Sequence, residues 1–258
     1  SNMQVLKKAY DSHIIPLISE LANSGNVDTD IAETFVVIHH QNMALAEEYM
    51  EYLTSYVHEE VCVKIMDFYI QERNPFEYYS GDLLYNDVTY DNSIKAVGVL
   101  KLIKTDSLVY YQMHELVEAI IKSNNITTSQ KNDLAKKLQD IIEVKLPDSK
   151  NITHNGYLIT CKLELANLRK ETLAYYKSLI EEIDDIPNLS DKIFTTAIFL
   201  DEVPWNRLKN SNVIKSNLYS FVKESLNKLP SNYEYLDRSI HLTPIMYKIN
   251  RNEWKALI

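Results

Sequence analysis

The chain has 258 residues, 45% of them apolar and 24% charged, with a formal net charge of −9. That balance belongs to a globular protein and excludes a disordered or collagen-like chain. The length allows one large domain or two small ones.

Residues 4–23 place Leu6, Tyr10, Ile14, Leu17 and Leu21 at helical spacing, with Pro16 inside the pattern, so a kinked helix or two short ones is expected. Asn23-Ser24-Gly25-Asn26 reads as a stop, and Asp28 or Thr29 as the cap of the next helix. From Ile31 a helical stripe runs through Phe35, Ile38, Leu45, Met50, Leu53, Val57, Val61, Ile65 and Phe68 to about Glu72. Unbroken, that helix would be about 66 Å long, so a break is expected between Thr54 and His58. Residues 75–90 are rich in tyrosine, without a clear period, and read as a long loop.

Further helices are expected from Asp91 or Ser93 to Lys104, from Thr105-Asp106 to Lys122, and from Ser129 to Val144. The run Ala96-Val97-Gly98-Val99-Leu100 leaves a buried strand as the alternative for the first of these. After Gly156, residues Leu158, Cys161, Leu165, Leu168, Thr172, Tyr176, Leu179 and Ile183 form a near-heptad seam. It reads as one long central helix, with a coiled-coil homodimer as the alternative. Helices from Ser190 to Val203 and from Asn212 to Leu229 follow, then an extended stretch over 233–243 and a short helix over 244–257. The expectation is an all-α fold of about nine or ten helices, one domain over 3–258 with two lobes and an inner boundary at 147–156.

Ser1-Asn2 ahead of Met3 reads as an expression remnant, and the first residues lack an apolar signal core. No run of about 18 uncharged apolar residues occurs, so no membrane span is expected. The four glycines, Gly25, Gly81, Gly98 and Gly156, cannot build a dinucleotide fingerprint or a phosphate loop. Cys62 and Cys161 form no CxxC and read as buried reduced thiols of a cytoplasmic protein.

Charge is uneven. Residues 1–91 hold four basic residues against sixteen acidic ones, a net −12, while 92–258 carry +3. Such a field repels nucleic-acid backbones and attracts cationic partners. Glu47, Glu48, Glu51, Glu59 and Glu60, with Tyr78, Tyr79, Asp82, Tyr85 and Asp87 in the Tyr-rich loop, are the candidate contact residues for a basic protein.

None of the seven histidines completes a Glu-x-x-His pair. His114-Glu115-Leu116-Val117-Glu118 looks like the start of a zincin helix, with Glu118 in place of the second histidine. His40, Glu47, Glu51 and His58 would share a 40° arc of an unbroken helix. A metal centre would draw on His39, His40, Glu47, His114 and Glu118. No GxSxG occurs, and neither cysteine has a histidine beside it in sequence.

The sequence therefore points to a non-catalytic cytoplasmic protein that binds a basic protein through an acidic face. In a bacterial setting, an immunity or antitoxin protein neutralising a cationic toxin would fit. A helical metal-dependent enzyme and a structural homodimer built on the 158–183 seam are the alternatives. No cofactor, nucleic acid or membrane is expected as a partner, and the chain is expected to be a monomer or homodimer.

Overall fold

A computed structural model describes residues 2–25, 29–71, 88–145, 152–226, 228 and 242–248. Among them every regular element is helical, and the strand alternative at 96–100 gives way to a helix. The described residues hold twelve α-helical segments and one 3₁₀ turn against the nine or ten helices expected, in part because two of the stripes read from the sequence are interrupted by caps. The backbone divides into two compact units, Ser1–Leu138 and Gln139–Ile258. Residues 147–151 of the expected inner boundary, the Tyr-rich stretch through residue 87 and most of the 233–243 stretch lie outside the described residues.

The first unit holds α1 (Asn2–Ser24), α2 (Thr29–Gln41), α3 (Met43–Met50), α4 (Ser55–Ile70), α5 (Tyr90–Leu102) and α6 (Asp106–Lys122), and most of α7 (Thr128–Lys145). Helix α1 is one element with Pro16 inside it. It ends on Gly25 at φ +68°, whose N–H reaches back to the Leu21 carbonyl at 3.0 Å, a left-handed cap that glycine adopts without strain.

The 31–72 stripe breaks twice. The expected break falls at residues 51–54, where Thr54 takes an extended conformation ahead of α4. The additional one is at Asn42, whose side-chain oxygen accepts the Leu45 N–H at 3.1 Å and starts α3. With both breaks, His40, Glu47, Glu51 and His58 do not share one helical arc. Helix α4 is the centre of the unit and packs against α2, α5 and α6.

Helix α6 begins where expected, after Thr105. Helix α7 opens on a reciprocal cap: Thr127 Oγ1 accepts the Gln130 N–H at 3.2 Å and Gln130 Oε1 accepts the Thr127 N–H at 3.0 Å.

The second unit holds α8 (Ile152–Arg169), α9 (Leu173–Asp184), α10 (Leu189–Glu202), a single 3₁₀ turn (Trp205–Arg207), α11 (Asn212–Leu226) and helical residues 242–248. The seam expected to run through one long helix is divided between α8 and α9, which overturns the central-helix and continuous coiled-coil readings. Lys170 sits at φ 56°, the Glu171 N–H bonds the Ala166 carbonyl at 3.0 Å, and the Lys170 N–H bonds the Asn167 carbonyl at 3.2 Å. This is a Schellman cap with lysine where glycine is usual, and Thr172 then leads α9. The seam's periodicity still reports burial: Cys161, Leu165, Leu168, Tyr176, Leu179 and Ile183 are all interior.

Helix α10 is the centre of this unit. Phe199 and Val203 pack with Ile159, Leu163, Tyr176 and Ile183, while Ile193, Ala197 and Leu200 pack with Val222, Leu242 and Met246. Close approach of α8 and α10 depends on Gly156, where a Cβ would lie 2.8 Å from Thr195 Oγ1.

An L-residue in the left-handed region costs about 1–2 kcal/mol, most of which glycine recovers. The Lys170 side chain is exposed. Lys170→Gly should therefore raise the urea midpoint, with a gain of about 1 kcal/mol in unfolding free energy. An unchanged or lower midpoint would contradict the strained cap.

Candidate functional site

The acidic candidates occupy α3, its exit and the first turns of α4. Glu47 is half-buried, and burial pushes its carboxyl above the usual range while Lys101 pulls it back. Glu48 is exposed and pairs with Lys7 at 3.6 Å. Such a pair contributes about 0–1 kcal/mol. Glu51 is exposed and forms the C-cap of α3. Glu59 is turned inward: its Oε1 accepts the Lys104 N–H at 2.9 Å in the α5–α6 connection and lies 3.8 Å from His58 Nδ1. It ties two segments together and is not available to a partner. Glu60 is half-buried on α4. Tyr78, Tyr79, Asp82, Tyr85 and Asp87 lie outside the described residues.

Two aromatic residues that the sequence reading did not single out stand beside these carboxylates. Tyr52 is 59% exposed and Tyr56 67% exposed, one in the α3–α4 turn and the other in the first turn of α4. Both fall where the stripe breaks, so they face solvent. Their positions off that stripe were visible in the sequence. Glu51, Tyr52, Tyr56 and Glu60 lie within ten residues of chain across the α3–α4 turn, an acidic, aromatic corner.

The metal candidates do not converge. Among the described residues no group of three or more His, Cys, Asp and Glu side chains is placed to hold a metal ion. His114 Nε2 lies 3.9 Å from Glu118 Oε1, and Glu118 is 3.7 Å from Lys122, an i,i+4 ladder along α6. His39 is fully buried, with Nδ1 2.8 Å from the Tyr69 hydroxyl. His40 lies beside it on α2, edge-on to Phe68.

Both cysteines are free and buried. Cys62 does meet a histidine: His58, four residues earlier on α4, brings Nδ1 to 3.8 Å from its sulfur. The i,i+4 spacing was legible, but Cys62 is 0% and His58 4% exposed, so the pair is closed to substrate. Burial pushes the Cys161 thiol well above its ordinary value, which makes it a poor nucleophile.

No described helix is long and apolar enough to cross a membrane. No family model, curated protein or solved structure matches the chain.

Burial lowers the His39 pKa from 6.5 to about 4, with Lys95 and His40 adding to the effect. The unfolded chain therefore binds the extra proton between those values. Stability from the neutral ring is complete above about pH 6.5 and is lost as pH falls toward 4. Between pH 7 and 5 the loss should be about 2 kcal/mol. His39→Gln should show a correspondingly smaller loss in urea melts at the two pH values; equal losses would place the titration elsewhere.

Proposed function

We propose that the chain is a non-catalytic protein-binding protein whose first unit docks a basic protein through the corner formed by Glu51, Tyr52, Tyr56 and Glu60. The observation that carries this reading is the pair of outward-facing tyrosines flanked by carboxylates at the α3–α4 turn. A tyrosine supplies wide apolar contact with a polar tip at low entropic cost, and aromatic residues are enriched at the centres of interfaces. The net −12 of residues 1–91 would speed encounter with a cationic partner and turn away nucleic acid.

Neutralisation of a cationic toxin by an immunity or antitoxin protein is the concrete form this reading takes. The corner would cover a basic groove of the toxin. Two free, buried thiols suit a reducing cytoplasm.

The test is affinity capture of basic proteins by the wild-type chain and by Tyr52→Ala/Tyr56→Ala and Glu51→Lys/Glu60→Lys variants. These exposed or half-buried positions should leave folding stability within about 0.5 kcal/mol, which a urea melt of each variant checks. A specific basic protein should be retained by the wild type, lost by both variants, and released as salt rises from about 0.05 to 0.5 M. Capture indifferent to both the variants and salt would remove the reading.

A further inference from the structure

The first unit contains a second polar assembly that the acidic corner does not use. Tyr69 on α4 is its centre. The His39 ring centroid lies 5.4 Å from that of Tyr69, the His40 centroid 6.3 Å, and the Lys95 Nζ 6.0 Å. Helices α2, α4 and α5 each contribute to the group, and α4 packs against both of the others.

Hydrogen bonding assigns the protons. Tyr69 and His39 are both 0% exposed. Burial raises the Tyr69 phenol above its ordinary range, so it keeps its proton. The acceptor within reach is His39 Nδ1 at 2.8 Å. An imidazole that accepts at Nδ1 carries its own proton on Nε2. His39 Nε2 is buried and has no hydrogen-bond partner, and the same holds for His40 Nδ1. A buried donor without an acceptor is rare in a folded protein and points to a group that completes it.

The charge on that group follows from its surroundings. Burial keeps both imidazoles neutral, and the charged group beside them is Lys95, whose ammonium stands 6.0 Å from the Tyr69 centroid and adds to the same effect on both rings. The assembly thus offers N–H donors and an ammonium, which disfavours a metal cation and suits a negatively charged oxygen.

We propose that His39 Nε2, His40 Nδ1 and Lys95 Nζ form a binding site for a small oxyanion, a carboxylate or phosphate group, between α2 and α5 against the Tyr69 ring. Lys95 and His40 are only partly buried, so the outer end of the group reaches toward solvent. His39 supplies the buried donor at the inner end. His40 takes the tautomer that places a proton on Nδ1, and Lys95 balances the charge.

The experiment is a titration of the full chain with inorganic phosphate and, separately, with acetate. The histidine ring signals are followed by NMR, with sodium chloride at matched ionic strength as the control. The expected result is a saturable shift of the His39 and His40 signals with at least one of the two anions and none with chloride. Lys95→Gln should weaken the response about tenfold or more, and Lys95→Arg should retain it. Lys95→Met serves as the second neutral variant if the glutamine one does not fold. Response to phosphate alone, or to acetate alone, identifies the ligand class. Failure of both anions to give a saturable shift, or undiminished binding by the neutral Lys95 variants, would overturn the site. Tyr52→Ala/Tyr56→Ala should bind the anion as the wild type does, so loss of the docking reading and loss of this one are separable.

Discussion

Helix α4 buries Val57, His58, Val61, Cys62, Ile65, Met66, Phe68 and Tyr69 within sixteen residues. That set is too wide for a single stripe and needs cover from several sides, which α2, α5 and α6 supply. Each large apolar side chain so covered contributes about 1.5–3 kcal/mol. The same burial carries polar groups inward, and each has to be satisfied locally. Tyr69 reaches His39, and Glu59 takes the Lys104 amide. The position of the histidine pair is therefore a consequence of how α4 is enclosed.

The abundance of tyrosine has the same origin. Tyr49, Tyr69 and Tyr176 are fully buried, and their hydroxyls meet Asp11, His39 and Asn167. Arg207 also donates to the Tyr176 hydroxyl, at 3.3 Å, while bonding the carbonyls of Lys170 and Glu171. A tyrosine in such a place packs like phenylalanine and adds a directional bond that ties two segments. Tyr52 and Tyr56 have no such enclosure and stand in solvent, in contrast to the core tyrosines.

Periodicity made the helical class and most of the core legible, since the stripe residues from Phe35 to Phe68 and from Cys161 to Ile183 are interior with few exceptions. Continuity was legible only at the α3–α4 break, which helix length alone demanded. An apolar stripe can pass through a cap without losing phase, as it does at Asn42 and at Lys170. Asn42 carried a usable signal, a side chain suited to capping. Lys170 carried none, because its left-handed backbone occurs without the expected glycine. Ser129, the expected cap of α7, lies inside the helix, because Thr127 and Gln130 cap each other at the helix start. Spacing along the chain offers the histidines as ligands only as an alternative, and burial with the approach of α4 and α5 decides what they touch.

Electrostatics joins the two proposed surfaces and also separates them. The acidic excess of the first 91 residues acts over a distance and is screened beyond about 10 Å at 0.1 M salt. The donors around Tyr69 act at hydrogen-bond range and are partly shielded from water, so salt weakens them much less. On the two proposals, a free anion approaching the first unit would be slowed by the acidic field and then held by the local cluster, whereas a basic protein would be drawn by the field and held by the exposed tyrosines. Moderate salt should thus oppose docking at the α3–α4 turn while easing the approach of an anion to Lys95, a divergence that one uniformly acidic surface would not produce.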